Sequence, residues 1–279
     1  LSRIVNGLTG GLISVAQATI ADITDEADRS ANFGKIGAAF GTGFILGPFL
    51  GGFLSSDISP LFSATTPFWF AAGLSTLSLV FVRYRLEETS PMEDRKIDWM
   101  KPLSQLKKGV NLPGLRRLFA ANFFYFAGFN FFTTFIPVYL VQRFGFTQFD
   151  TGNFFLYIGI LLIIGQGIIV PKLFSKYREE NVMPITLFLT GLFIFLQPIP
   201  NNLAIFMIVV TLFSFNNSIT QISLNTLVSN NASKENQGLA LGTNQSVRAL
   251  GNALPSTLSG IAAALATPAM PLTIAGLLI

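Results

Sequence analysis

The chain alternates long apolar stretches with short polar connections. A hydrocarbon layer about 30 Å thick takes about 20 residues of helix to cross. On that scale the pattern predicts spans near residues 1–20, 34–56, 67–83, 118–141, 151–171, 183–200, 203–229 and 238–266, with a partial one from 269. This makes about nine segments. A more polar connection, from Arg83 to Arg117, leaves three of them before it and six after. Inside that connection Ile97, Met100, Leu103, Leu106 and Val110 recur at helical spacing, with Lys101, Lys107 and Lys108 beside them. Pro102 stands early enough to be tolerated in a first turn. The spacing predicts a short amphipathic helix lying on the inner leaflet, with a solvated basic linker as the alternative. In either case the segment joins two bundles and carries no chemistry.

The positive charges sort by side. Taking alternate connections together, one side holds Arg29, Lys35, the basic residues of the central connection, Lys172, Lys176, Arg178 and Lys234, while the other side holds Arg143. Cytoplasmic loops retain Lys and Arg, so the central connection is expected in the cytoplasm. Arg3 and Arg248 are the two basic residues left within apolar spans.

Composition narrows the function classes. Hydrophobic residues make up 51% and charged ones 11%, where a soluble domain averages about 25% charged, and the mean hydropathy is +0.57. A water-soluble fold is excluded. Cys and His are both absent, which removes disulfides, thiol chemistry, Cys/His metal sites and a histidine proton relay. Gly34-Lys35 lacks the upstream glycine of a phosphate loop, so ATP-driven transport is not expected. Nor does the net charge of +4 cluster in a way that suggests nucleic acid. With no pair of membrane acids, no Ser/His pair and no metal cluster, an enzyme is not expected, and neither is a cofactor. The chain starts and ends in apolar segments without a signal peptide, which reads as an internal piece of a longer protein.

The most specific motif lies in the second span: Gly34, Gly43, Gly47-Pro48 and Gly51-Gly52. Gly43, Gly47 and Gly51 fall on one helical face, along which a neighbouring helix can approach closely. Pro48 removes a backbone hydrogen bond in mid-membrane and permits a bend. Simple small-residue packing is the plainer reading. The run resembles the antiporter motif on the fifth helix of major facilitator superfamily transporters. Further residues resemble the tetracycline and multidrug efflux members of that family. Arg3 to Gly7 is similar to their fourth-helix motif, with Asn6 departing from the usual glutamine. Ala21-Asp22-Ile23-Thr24-Asp25, Arg29 and Phe33-Gly34 resemble the loop between helices four and five. Pro67 to Ala72 and Leu86 to Thr89 resemble the sixth helix and its exit, and Phe135 to Leu140 with Phe144-Gly145 the outer end of the seventh. Gln166 ahead of Lys172 and Lys176 resembles the close of the eighth. Gln237-Gly238, Gly242, Arg248, Gly251, Pro255 and Gly260 look like the eleventh, and they echo the fifth helix as two related halves would.

The resemblance implies an all-α polytopic membrane protein with a partial major facilitator fold of about nine of twelve transmembrane helices. Residues 1–83 would close the N-terminal half as helices four to six. Residues 84–117 would form the cytoplasmic central loop. Residues 118–279 would form the C-terminal half as helices seven to twelve, the last one partial. It further implies a monomeric secondary transporter of the cell (inner) membrane, exporting a small amphiphilic or drug-like molecule in antiport with protons by alternating access. A sugar or other metabolite transporter of the same fold is the alternative, with a membrane scaffold or receptor behind it.

Candidate functional residues follow from charge and amide placement. Arg3 is a costly charge within a span, yet Asp22 lies about 28 Å further along the helix at 1.5 Å per residue. Arg3 therefore either snorkels at the outer end or, as the resemblance implies, serves proton coupling. Asp22, Asp25 and Arg29 at the inner surface either form a gating charge relay, as the resemblance implies, or cap helix ends. Arg248 lies ten residues past Gly238, roughly 15 Å into the bilayer by helical rise, with Gln245 and Asn252 on its face. That set can solvate an anionic or polar group, or anchor one helix to another. Asn217, Gln221 and Asn225 repeat at four-residue steps, and Asn130 is flanked by Phe126 and Phe129. With Asn6 and Gln166, these residues are expected around a substrate cavity between the halves.

Overall fold

Away from water, a chain satisfies its own backbone N–H and C=O groups most simply as helix. Among the described residues every regular element is helical and no strand occurs. The computed structural model describes residues 19, 39, 42, 43, 46–85, 101–233, 236–265 and 269–279. Arg3, Asn6, Asp22, Asp25, Arg29 and Gly34 lie outside them.

The chain divides into two compact units, Leu1–Ile97 and Asp98–Ile279. In the first, helix α1 covers residues 46–54 and passes through Pro48 without interruption. Helix α2, Thr66–Arg85, ends on Arg83 and Arg85, the cations suited to the negative end of a helix dipole. Its large apolar side chains, Phe68 and Trp69 among them, are exposed. Among the described residues nothing lies within 4 Å of where a Cβ would sit on Gly43, Gly47 or Gly51.

The second unit contains α3 (Lys101–Val110), α4 (Arg116–Phe144), α5 (Gln148–Phe174), α6 (Glu179–Leu196), α7 (Leu203–Asn230), α8 (Gln237–Leu265) and α9 (Met270–Leu278). Local chemistry sets their limits. Helix α4 stops where Gly145 takes a left-handed φ of 68°, a conformation that costs glycine little. There the Gly145 N–H reaches the Val141 carbonyl at 3.0 Å. Thr147 starts α5 with a capping box: its hydroxyl accepts from the Asp150 N–H at 3.1 Å, and the Asp150 carboxylate accepts from the Thr147 N–H at 3.0 Å. Asn202 caps α7 by accepting from the Ala204 N–H at 2.8 Å.

Within α5, residues Gly165–Ile169 form a π turn just ahead of Pro171. A proline ring clashes with the carbonyl four residues back, which here belongs to Gly167. The wider turn relieves that clash while keeping the helix continuous.

By length and composition, α4, α5, α6 and α7 are apolar enough to cross a membrane. Helices α2 and α8 are long enough, at 20 and 29 residues. They are more polar than the uniform spans expected, because α2 closes on arginines and α8 carries Thr243, Asn244, Gln245, Ser246, Arg248 and Asn252. Helix α7 packs mainly on α6, α8 on α4, and the short α9 lies against both α4 and α6. Phe132, Tyr139, Ile194, Phe206, Phe213 and Leu272 fill the centre of this unit. The amphipathic helix expected in the central connection is present as α3, but it packs on α8. Gly109 meets Thr243 there so closely that a Cβ on Gly109 would overlap the threonine side chain. Its interior side is therefore occupied by protein, a partner that its own periodicity does not reveal.

Candidate functional site

Three helices converge on the amide ladder of α7, each taking one rung. Residues four apart on a helix rise about 6 Å and keep to one side, so Asn217, Gln221 and Asn225 present a column of amides. Asn217 Oδ1 accepts a 2.6 Å hydrogen bond from the Tyr125 hydroxyl of α4. Gln221 Oε1 accepts from Gln166 Nε2 of α5 at 3.2 Å. Asn225 Oδ1 accepts from Arg248 Nη1 of α8 at 3.5 Å. Four polar residues singled out in the sequence, Gln166, Asn217, Gln221 and Arg248, thus belong to one connected region, with Asn225 as the fifth.

Each donor is placed by local structure. Gln166 sits inside the π turn, whose backbone comes close to α7: a Cβ on Gly165 would overlap the Ser218 side chain. Tyr125 is fully buried and stacks on Phe129, with ring centroids 6.0 Å apart. Arg248 is half-buried and is brought against α4 by Gly251, one turn further along, where a Cβ would lie 2.8 Å from the Phe123 carbonyl oxygen. The guanidinium carbon stands 4.1 Å from the centroid of the Phe126 ring, within range of a cation–π attraction.

Among the described residues the charge of Arg248 has no counter-charge. A guanidinium carries five N–H donors and a charge that is never lost, and in low dielectric such a group requires a partner. Among the described residues its company is one long bond to a neutral amide and one aromatic face, with no carboxylate within ion-pairing distance. What remains open on the guanidinium suits a planar acceptor or an anion.

Three of the expected residues make no hydrogen bond to the α7 ladder among the described residues. Gln245 is exposed, as is Asn252, because the side of α8 that packs inward carries Thr243, Asn244 and Val247 instead. Asn130 is half-buried, and its Oδ1 accepts from Thr134 of the same helix at 3.3 Å rather than from the α7 ladder. Phe126, expected beside Asn130, covers Arg248 instead.

Sequence reasoning missed Tyr125, although its hydroxyl is the one polar group in the run Phe123-Phe124-Tyr125-Phe126. It also missed a buried hydroxyl pair, Thr190 and Thr220, 3.1 Å apart between α6 and α7. Among the described residues no cluster of acidic, His or Cys side chains is suited to hold a metal ion.

Comparison with known proteins places this geometry. The model of the Major Facilitator Superfamily matches residues 1–256. The chain is 28% identical to human "Major facilitator superfamily domain-containing protein 10", an alignment covering 90% of this chain and 58% of that protein. It is 26% identical to "Multidrug resistance protein 2" of Bacillus subtilis, covering 93% of this chain and 65% of the relative. The chain therefore spans about three fifths of the length of these curated relatives. Among solved structures, the human organic anion transporter MFSD10 (TETRAN) superposes with a TM-score of 0.70 at 26% identity, over 99% of this chain and 68% of that one.

Proposed function

Because the chain belongs to the Major Facilitator Superfamily, an integral membrane transporter family, we propose that it carries the C-terminal side of a substrate site in a proton-coupled efflux transporter. The substrate in this reading is a small amphiphilic molecule with a planar acceptor or anionic group. The observation that carries it is Arg248, a guanidinium on an aromatic face, flanked by an amide and lacking a carboxylate partner among the described residues. Fixed charge inside a membrane protein, facing protein groups rather than snorkelling, marks substrate or ion pathways. Phe126 and the amides Asn217, Gln221 and Asn225 supply the apolar and polar surface that such a molecule presents. A neighbour titled as an organic anion transporter and a relative named for multidrug resistance support the same class.

In this reading Arg3 serves proton coupling, and Asp22, Asp25 and Arg29 form the inner gate of an alternating-access cycle. The stripe Gly34, Gly43, Gly47, Pro48, Gly51 and Gly52 is the surface over which the helices slide, and Asn6 and Asn130 complete the cavity. The transporter acts as a monomer in the cell (inner) membrane, with the connection at residues 84–117 on the cytoplasmic side.

The test is proton-gradient-driven flux in vesicles containing the full-length transporter, with anionic amphiphiles, cationic amphiphiles and sugars as the panel. Wild type should move anionic amphiphiles. Arg248→Ala should lose flux by at least tenfold, and Arg248→Lys should recover only part of it, since lysine cannot reproduce the planar fork. Flux of sugars alone would move the reading to a metabolite transporter. No gradient-driven flux of any kind would favour a scaffold.

A further inference from the structure

A second feature lies at the opposite end of α5 from its capping box. There a groove of about 520 Å³ is lined by Ile168, Ile169, Lys172, Leu173, Ser175, Lys176 and Tyr177. The helix ends at Phe174 and the chain continues in a turn closed by the Lys176 and Tyr177 N–H groups on the Leu173 carbonyl. That turn keeps Lys176 and Tyr177 beside the last helical residues rather than letting them trail into solvent. Ser175 spends its hydroxyl on the Lys172 carbonyl at 2.8 Å, so the two ammonium groups and the Tyr177 hydroxyl are the donors the groove offers.

We propose that this groove binds an anionic phospholipid, with the headgroup phosphate between Lys172 and Lys176 and an acyl chain along the exposed face of α5. The charges favour it. Next to the groove, Arg178 is paired with Glu180 at 3.1 Å, whereas neither lysine has an ion-pair partner among the described residues. The shape favours a lipid over a soluble phosphate, because Ile168, Ile169 and Leu173 give the groove an aliphatic wall beside the lysines. Ile160, Ile164 and Ile168 continue the exposed surface up the helix, about 12 Å at 1.5 Å per residue. The π turn at Gly165–Ile169 lies within this stretch, and Ile168 and Ile169 of that turn share the groove with the lysines. A basic end on a membrane-crossing helix, with an apolar track leading away from it, matches the two-part chemistry of an anionic lipid.

The experiment is native mass spectrometry of the full-length transporter titrated with phosphatidylglycerol, with phosphatidylcholine of the same acyl chains, and with glycerol 3-phosphate as the soluble headgroup. Phosphatidylglycerol should be retained in preference to phosphatidylcholine, and glycerol 3-phosphate should not displace it. Lys172→Gln and Lys176→Gln should each weaken retention about fivefold, and the double variant about 30-fold, as expected for roughly 1 kcal/mol per lysine near a lipid surface. Arg178→Gln, whose charge is already paired, should change it less than twofold. Both lysines are exposed, so these variants keep the fold. Equal retention of the two lipids, full retention by the double variant, or an equal loss in Arg178→Gln would each overturn the proposal. Displacement by glycerol 3-phosphate would overturn the lipid in favour of a soluble phosphate site. None of these outcomes depends on which solute the transporter moves.

Discussion

Replacing Gly251 by alanine tests how Arg248 is held. The new methyl would sit 2.8 Å from the Phe123 carbonyl oxygen, 3.2 Å from the Ala127 nitrogen and 3.3 Å from the Phe126 Cβ. Heavy atoms in comfortable contact lie about 3.5–4.0 Å apart, so the tightest of these is short by roughly 0.7 Å. Two of the three neighbours are backbone atoms of α4, which rotate away only if the helix moves as a whole. Overpacking of this kind costs about 1–3 kcal/mol. Against it, alanine in place of glycine within a helix gains about 1 kcal/mol. Gly242 of the same helix separates the two terms, since nothing lies within 4 Å of a Cβ placed there. Gly242→Ala carries the propensity gain alone. The stability difference between the two variants is then the packing cost, about 1–3 kcal/mol with Gly251→Ala the less stable. Thermal unfolding of the purified full-length transporter, followed by loss of the monodisperse size-exclusion peak, reads that difference. Because Phe126 is pressed by the same methyl and also covers Arg248, Gly251→Ala should lower flux as well, whereas Gly242→Ala should not. Equal melting of the two variants would refute the view that α8 is seated on α4 through this glycine.

Two further outcomes follow from single bonds. Tyr125→Phe removes the 2.6 Å hydrogen bond to Asn217 and should destabilise by about 0.6 kcal/mol, reaching about 1.7 at most, the range of interhelical bonds in membrane proteins. Asn217→Leu combined with Tyr125→Phe should cost less than the sum of the two single changes, read by a double-mutant cycle in thermal stability. Thr147→Ala opens the capping box and should cost about 1 kcal/mol. Its signature is faster hydrogen exchange at the Asp150 amide, which now donates to the threonine hydroxyl, with no change in the solutes transported.

Much of the helix layout is legible along the chain, because in a hydrocarbon environment length and polarity alone decide where a helix can lie. The expected spans at 118–141 and 203–229 meet α4 at Arg116–Phe144 and α7 at Leu203–Asn230. Helix α4 runs three residues past the expected end, to the stop that Gly145 sets through its backbone geometry, while α7 begins at 203 as expected, where Asn202 caps it. The amides of α7 are legible as well, since three of them at four-residue steps in an apolar run demand partners. Which partners they receive is not legible. Tyr125, Gln166 and Arg248 lie 92, 55 and 23 residues away from their respective rungs, and no local pattern encodes a pairing over such separations.

The sequence by itself determined the membrane class, the helical content, the family resemblance carried by its glycine, proline and charged motifs, and the residue types able to engage a polar solute. Those depend on hydropathy and spacing, which are properties of the chain read in order. Only the tertiary structure decided that α3 lies on α8 and that Gln245 and Asn130 stand apart from the α7 ladder. It also decided that Arg248 faces an aromatic ring and an amide. Each of these depends on how one helix is rotated and seated against another. That rotation is set by close backbone approaches such as Gly251 on α4, a sum of many weak contacts that no single stretch of sequence contains.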